Sequence, residues 1–126
     1  MSKAPEIIEL PFAIPTRNKL DKMHWAEKKR LRGQYQLFVR NQMKLNKIHK
    51  ADPGSECTIS IVTFRKYPIR DYDNLVGGCK QLLDALSHEG FIWDDSIKYI
   101  GSPAISQHKS KEEYTIVSRV LPIPSK

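Results

Sequence analysis

Residues 57–67 read CTISIVTFRKY, and their pattern decides the fold. Cys57, Ile59, Ile61 and Thr63 alternate with Thr58, Ser60, Val62 and Phe64, which is the two-residue period of a strand. Toward its end the run is apolar on both faces, so the strand belongs at the centre of a sheet. Just upstream, DPGS (Asp52–Ser55) is turn chemistry. Before that turn, from about Asp21 to Lys50, Leu31, Tyr35, Phe38, Val39, Gln42 and Leu45 recur near the helical period among lysines and arginines. This predicts a long amphipathic helix, with a break left open at Gly33. Farther upstream, EIIELPF (Glu6–Phe12) reads as a first strand stopped by Pro11 and Pro15, and IPTRNKL as the loop that follows.

Downstream, the apolar positions Leu75, Cys79, Leu82, Leu83 and Leu86 predict a second helix from about Asn74 to Glu89, ended by Gly90. Gly77 and Gly78 each weaken its early turns by ~1 kcal/mol relative to alanine. Close approach of a backbone or a ligand would explain them. After FIWDDS, the runs IKYIGSPAIS and EEYTIVSRVLPI are strand-like and are joined by the polar segment Gln107–Lys111, which predicts a closing hairpin. The expected order is βαβαββ: one mixed α/β (α+β) domain over residues 1–126, with a mixed β-sheet and two main helices.

Charge is distributed unevenly within the overall +7. Residues 17–50 hold eleven Lys or Arg against two acids, whereas residues 71–95 hold six acids against Lys80 alone. A basic body around an acidic spot suits a protein that acts on a polyanion, because the wide field attracts phosphates while local carboxylates hold a cation. No apolar run approaches the ~18 residues of a spanning helix, and MSKAPEIIEL lacks the apolar core of a signal peptide, which predicts a cytoplasmic protein. Cys57 and Cys79 have no metal-binding spacing and read as reduced thiols.

The acidic spot centres on RDYDNLVGGCK (Arg70–Lys80). Asp71 and Asp73 share a face only if their segment is extended, so the pair is expected where a strand gives way to the helix, with Asp73 also suited to capping it. A short turn after Gly90 would bring Asp94 and Asp95 of WDDS back toward that pair. Three or four converging carboxylates make a hard-oxygen site that suits Mg²⁺, with Mn²⁺ as substitute. Lys80 and Asp84 share a helix face at i, i+4. Lys80 is expected to lean toward the helix start and so toward the metal. Arg65, Lys66 and Arg70, just ahead of the acids, are the best-placed cations for phosphate.

DYDNL, then the lysine ahead of LLDAL, then GFIWDDS resemble the RusA family of Holliday-junction resolvases, in its phage and prophage forms. The likeness is densest over residues 70–97, and LPFAIPTRN also resembles that family's first strand and its Pro- and Asn-containing loop. The resemblance implies a homodimeric, Mg²⁺-dependent endodeoxyribonuclease of recombination and repair that resolves four-way DNA junctions by symmetric hydrolysis. It implies metal binding by Asp71, Asp73 and Asp95, with Asp94 as a further ligand candidate, catalysis by the three aspartates and Lys80, and a DNA contact at Asn18. It implies no small-molecule cofactor and no membrane. In one respect this chain departs from the pattern: Lys80 follows Asp73 by seven residues, so that Val76–Cys79 include what reads as a three-residue insertion. The rival reading is a non-catalytic basic DNA-binding module in which the Asp-x-Asp only caps a helix.

Overall fold

The computed structural model describes residues 4–121. Strand β1 (Glu6–Leu10) leads through helices α1 (Arg17–Lys22) and α2 (Trp25–Leu45) to β2 (Thr58–Arg65). Helices α3 (Tyr72–Gly77), α4 (Lys80–Glu89) and α5 (Ile97–Ile100) then lead to β3 (Ala104–Lys109) and β4 (Tyr114–Val120). The expected mixed α/β domain and its βαβαββ order hold, with each helical segment divided. Among the described residues no helix is long and apolar enough to cross a membrane.

The strands form one sheet in the order β1-β4-β2-β3. β2 is indeed interior, pairing antiparallel with β4 and parallel with β3. The expected hairpin of the last two strands is therefore wrong, because β4 inserts between β1 and β2. Local polarity marked the turn but could not show which edge each strand joins. The run IKYIGSPAIS also divides: Ile97–Ile100 is helical, with Ile100 buried, and Gly101 ends it at φ 60 before β3 begins.

Both β-α-β connections join parallel strands and run the same way across the sheet, so right-handed crossovers place both helical layers on one face. Burial agrees. Ile8, Leu10, Ile59, Ile61 and Val117 are fully buried beneath the helices, while Ser60, Val62 and Ile116 on the other face stay partly exposed. Tyr35, Val39 and Met43 of α2 and Leu82, Ala85 and Leu86 of α4 complete the core, each large side chain worth ~1.5–3 kcal/mol of burial. Leu45, counted in the apolar stripe of α2, is exposed instead. Gln42 and Asn46 turn to the edge of β1, accepting from Glu9 N and donating to Ile7 O, each at 3.0 Å.

α2 and α4 lie side by side and parallel. Arg32 Nε donates to Gln81 Oε1 at 3.0 Å, and Arg40 donates to both carboxylate oxygens of Glu89 at 2.8 and 3.1 Å. Each contact joins residues 49 positions apart, so the start of α4 lies level with Leu31. The first six residues of α2 therefore project beyond α4 by about 9 Å. α2 is unbroken at Gly33. The segment read as loop after Pro15 is helix α1, because Thr16 Oγ1 accepts from Lys19 N at 3.0 Å and so caps it.

At the opposite end of the domain Arg119, 2% exposed, donates to Glu6, to the Phe91 carbonyl at 2.7 Å and to the His49 carbonyl. Its guanidinium ties β4 to both helix-to-strand connections.

Candidate functional site

The loops at the carboxyl ends of β1 and β2 meet, and hydroxyls from the sheet hold them. Thr63 Oγ1 accepts from Ile14 N at 3.0 Å and lies 3.1 Å from Thr115 Oγ1, whose hydroxyl donates to Phe12 O at 2.8 Å. Arg65 donates to the carbonyls of Ile14 and Tyr67. Arg65 thus braces this loop, and of the three predicted phosphate contacts it is Lys66 and Arg70 that stand exposed. Gln107, from β3, holds the next segment through both backbone groups of Ile69, at 2.8 and 2.6 Å.

This scaffold presents α1 and α3 together. Asn18 N donates to Asn74 Oδ1 at 2.8 Å, so the predicted DNA-contacting asparagine stands against the helix that carries the Asp-x-Asp. Sequence reasoning passed over Asn74 as a site residue, although it follows Asp73 directly.

Asp71, rather than Asp73, caps α3. Its backbone is extended (φ −102, ψ 123), and its Oδ1 accepts from Asp73 N at 3.2 Å. Asp73 occupies the first helical turn, where a carboxylate favours the positive end of the helix dipole. The two acids therefore mark a helix start, with Asp71 extended six residues beyond the end of β2 and Asp73 already helical, so the pair does not share the extended segment expected.

The predicted single helix is jointed between α3 and α4. Cys79 N donates to Val76 O at 3.0 Å in a tight turn. The cause is the approach of the β1–α1 loop: a Cβ on Gly78 would lie 1.9 Å from the Pro15 carbonyl oxygen, and one on Gly77 would lie 2.5 Å from the Arg17 side chain. The glycine pair thus admits a neighbouring backbone, one of the two explanations weighed from sequence. Residues that read as an insertion form this joint, and Lys80 opens α4 immediately after it.

Lys80 Nζ lies 3.1 Å from Asp84 Oδ1 and 3.4 Å from Asp95 Oδ2. Hydrogen bonding to Asp84, with added attraction from Asp84 and Asp95, raises its pKa further above neutrality. The ammonium is thus held between Asp84, one turn on along α4, and Asp95 of the returning segment. The return of WDDS is real as far as Asp95. Gly90 takes a left-handed conformation (φ 87), Phe91 and Ile92 are buried, and the chain doubles back along α4.

The acids thus form two sets, Asp71 and Asp73 at the start of α3 and Asp84 and Asp95 around Lys80. Among the described residues no three carboxylate, imidazole or thiol groups stand together as an ion-binding group. In donor chemistry these groups suit a hard divalent cation, since all are carboxylates, although only Asp71 and Asp73 are exposed while Asp84 and Asp95 are partly buried. Lys80 already neutralises Asp95, so a cation binding there competes with the ammonium.

The fold and these residues define a two-layer mixed α/β domain with an acid-and-lysine cluster flanking its second crossover. Neither a protein-family model nor a characterised relative matches the chain.

Proposed function

We propose that the protein is a structure-selective endodeoxyribonuclease that uses Mg²⁺, or Mn²⁺ in its place, and hydrolyses phosphodiesters at four-way DNA junctions. The observation that supports this most is the pairing of Lys80 with Asp95 across fifteen residues of sequence. It joins the lysine and the second acidic end of the motif on which the resemblance to the RusA resolvases rests. The resemblance assigns the cation to Asp71, Asp73 and Asp95, with Asp94 as a further candidate; because Asp95 is paired with Lys80 apart from the other two, it would have to leave that pair to join them. When bound, the cation supplies charge neutralisation at the phosphate and lowers the pKa of its water.

The remaining work falls to the chain. Lys80, held as an ammonium, is placed to stabilise charge developing on a phosphate oxygen once it exchanges a carboxylate for it. Lys66 and Arg70 face solvent beside the acids and suit the flanking phosphates. Asn18, on α1 and tied to α3 through its backbone N–H, would contact the same strand from the neighbouring helix. A two-fold homodimer would offer two equal sites to the two opposed strands of a junction.

The capping of α3 by Asp71 favours a second reading, a basic DNA-binding module without catalysis. A labelled synthetic junction incubated with Mg²⁺, with Mn²⁺ and with chelator separates the two readings. Cleavage that needs the metal, is lost in Asp73→Asn and leaves junction binding intact supports the nuclease. An Asp73→Asn protein that cleaves as well as wild type would refute it.

A further inference from the structure

Trp25, the first residue of α2, is 70% exposed and lies outside the hydrophobic core. Its only aromatic neighbour among the described residues is His24, with ring centroids 5.6 Å apart. So large an apolar surface left in water contributes little to folding. Its setting is cationic. Lys28 and Lys29, three and four residues on, share its face of the helix, and Arg30 and Arg32 follow within two turns. These residues lie on or beside the part of α2 that projects past α4, on the end of the molecule where α1 and α3 begin. Arg32 in turn binds Gln81, the neighbour of Lys80. An exposed indole therefore stands about 10 Å along the helix from a residue that touches the candidate site's own helix.

We infer that Trp25 is a stacking subsite for an unpaired base of a DNA strand, with Lys28 and Lys29 contacting that strand's phosphates. A flat π-face beside mobile cations matches a single-stranded segment, in which bases are free to leave the duplex stack, and it has no comparable use against the closed stack of a duplex. The lysines complement phosphate and argue against an apolar protein surface as the occupant. This subsite rests on the nucleic-acid reading above and adds to it a strand-opening preference.

The test is tryptophan fluorescence of the full chain titrated with a short oligothymidylate and, separately, with a blunt duplex. Trp93→Phe isolates the Trp25 signal. The expected result is quenching by the oligothymidylate. Trp25→Ala should weaken that binding by about tenfold or more, with Trp25→Phe in between and duplex affinity unchanged. A Lys28→Ala, Lys29→Ala pair should lower the salt slope by about one to two. Denaturant unfolding confirms that the variants fold, and removing an exposed side chain leaves the core untouched. Equal oligothymidylate binding by Trp25→Ala overturns the subsite while leaving junction cleavage to stand on its own assay. A wild-type protein that binds neither DNA overturns both.

Discussion

Replacing Gly78 with alanine tests the joint on which the site is assembled. Gly78 has ordinary right-handed helical angles (φ −68, ψ −17), so alanine meets no backbone strain there and its helix propensity favours the change by ~1 kcal/mol. Sterics oppose it. The new Cβ would lie 1.9 Å from Pro15 O and 3.1 Å from Pro15 C, whereas ordinary contact begins near 3.4 Å, so loop or helix must retreat by about 1.5 Å. The obstacle is main chain, and the Ile14 N–H and carbonyl beside it are already held by Thr63 and Arg65. Overpacking costs ~1–3 kcal/mol, and a main-chain obstacle that cannot swing aside puts this case at the upper end, so that after the propensity gain the net loss is about 2 kcal/mol. For a domain of this size that lowers the melting temperature by roughly 6–10 °C. Gly33→Ala is the control: it lies mid-helix in α2, a Cβ there meets nothing within 4 Å, and stability should rise by ~1 kcal/mol. Thermal and urea unfolding of both variants decide the matter. If Gly78→Ala matches or exceeds wild type, the contact with Pro15 is not what keeps the glycine.

Two further substitutions separate structure from chemistry. Asp71→Ala should cost ~0.5–2 kcal/mol through loss of the α3 cap, while Asp71→Asn retains an acceptor and stays within a few tenths of wild type, so cleavage lost in the asparagine variant reports the charge itself. Hydrogen bonds from Arg40, with partial opposition from burial, hold the Glu89 carboxyl below the usual carboxylate range. A lowered folded pKa stabilises the protein above the unfolded value and ceases to do so as pH falls through the folded value. Glu89→Gln should therefore unfold at lower urea than wild type at neutral pH, with the gap closing on acidification. A gap independent of pH would refute the ion-pair account.

Much of the framework was legible in local pattern. The alternation in residues 57–67 placed β2, and the spacing of Leu75, Leu82 and Leu86 placed the helical face that packs on it, because side chains at these periods must bury together. Strand order was not legible, since the partner of residues 114–120 is chosen by long-range pairing and not by the polar run before them. Arg119 was equally hidden. A charged residue on a strand face reads as exposed until the carbonyls that receive it are in place. At the site, motif spacing anticipated the return of Asp95, but the joint at Gly78 depends on the carbonyl of Pro15, more than sixty residues earlier.

The central place of β4 bears on synthesis. β1 and β2 both find their antiparallel partner in residues 114–120, and Arg119 supplies the donors that fix His49 and Phe91. On the ribosome the earlier strands and helices emerge first, with no neighbour to close the sheet between them. Such a chain completes its tertiary structure only once that strand has left the exit tunnel, and the incomplete chain meanwhile exposes Ile8, Ile59 and Ile61 to chaperones.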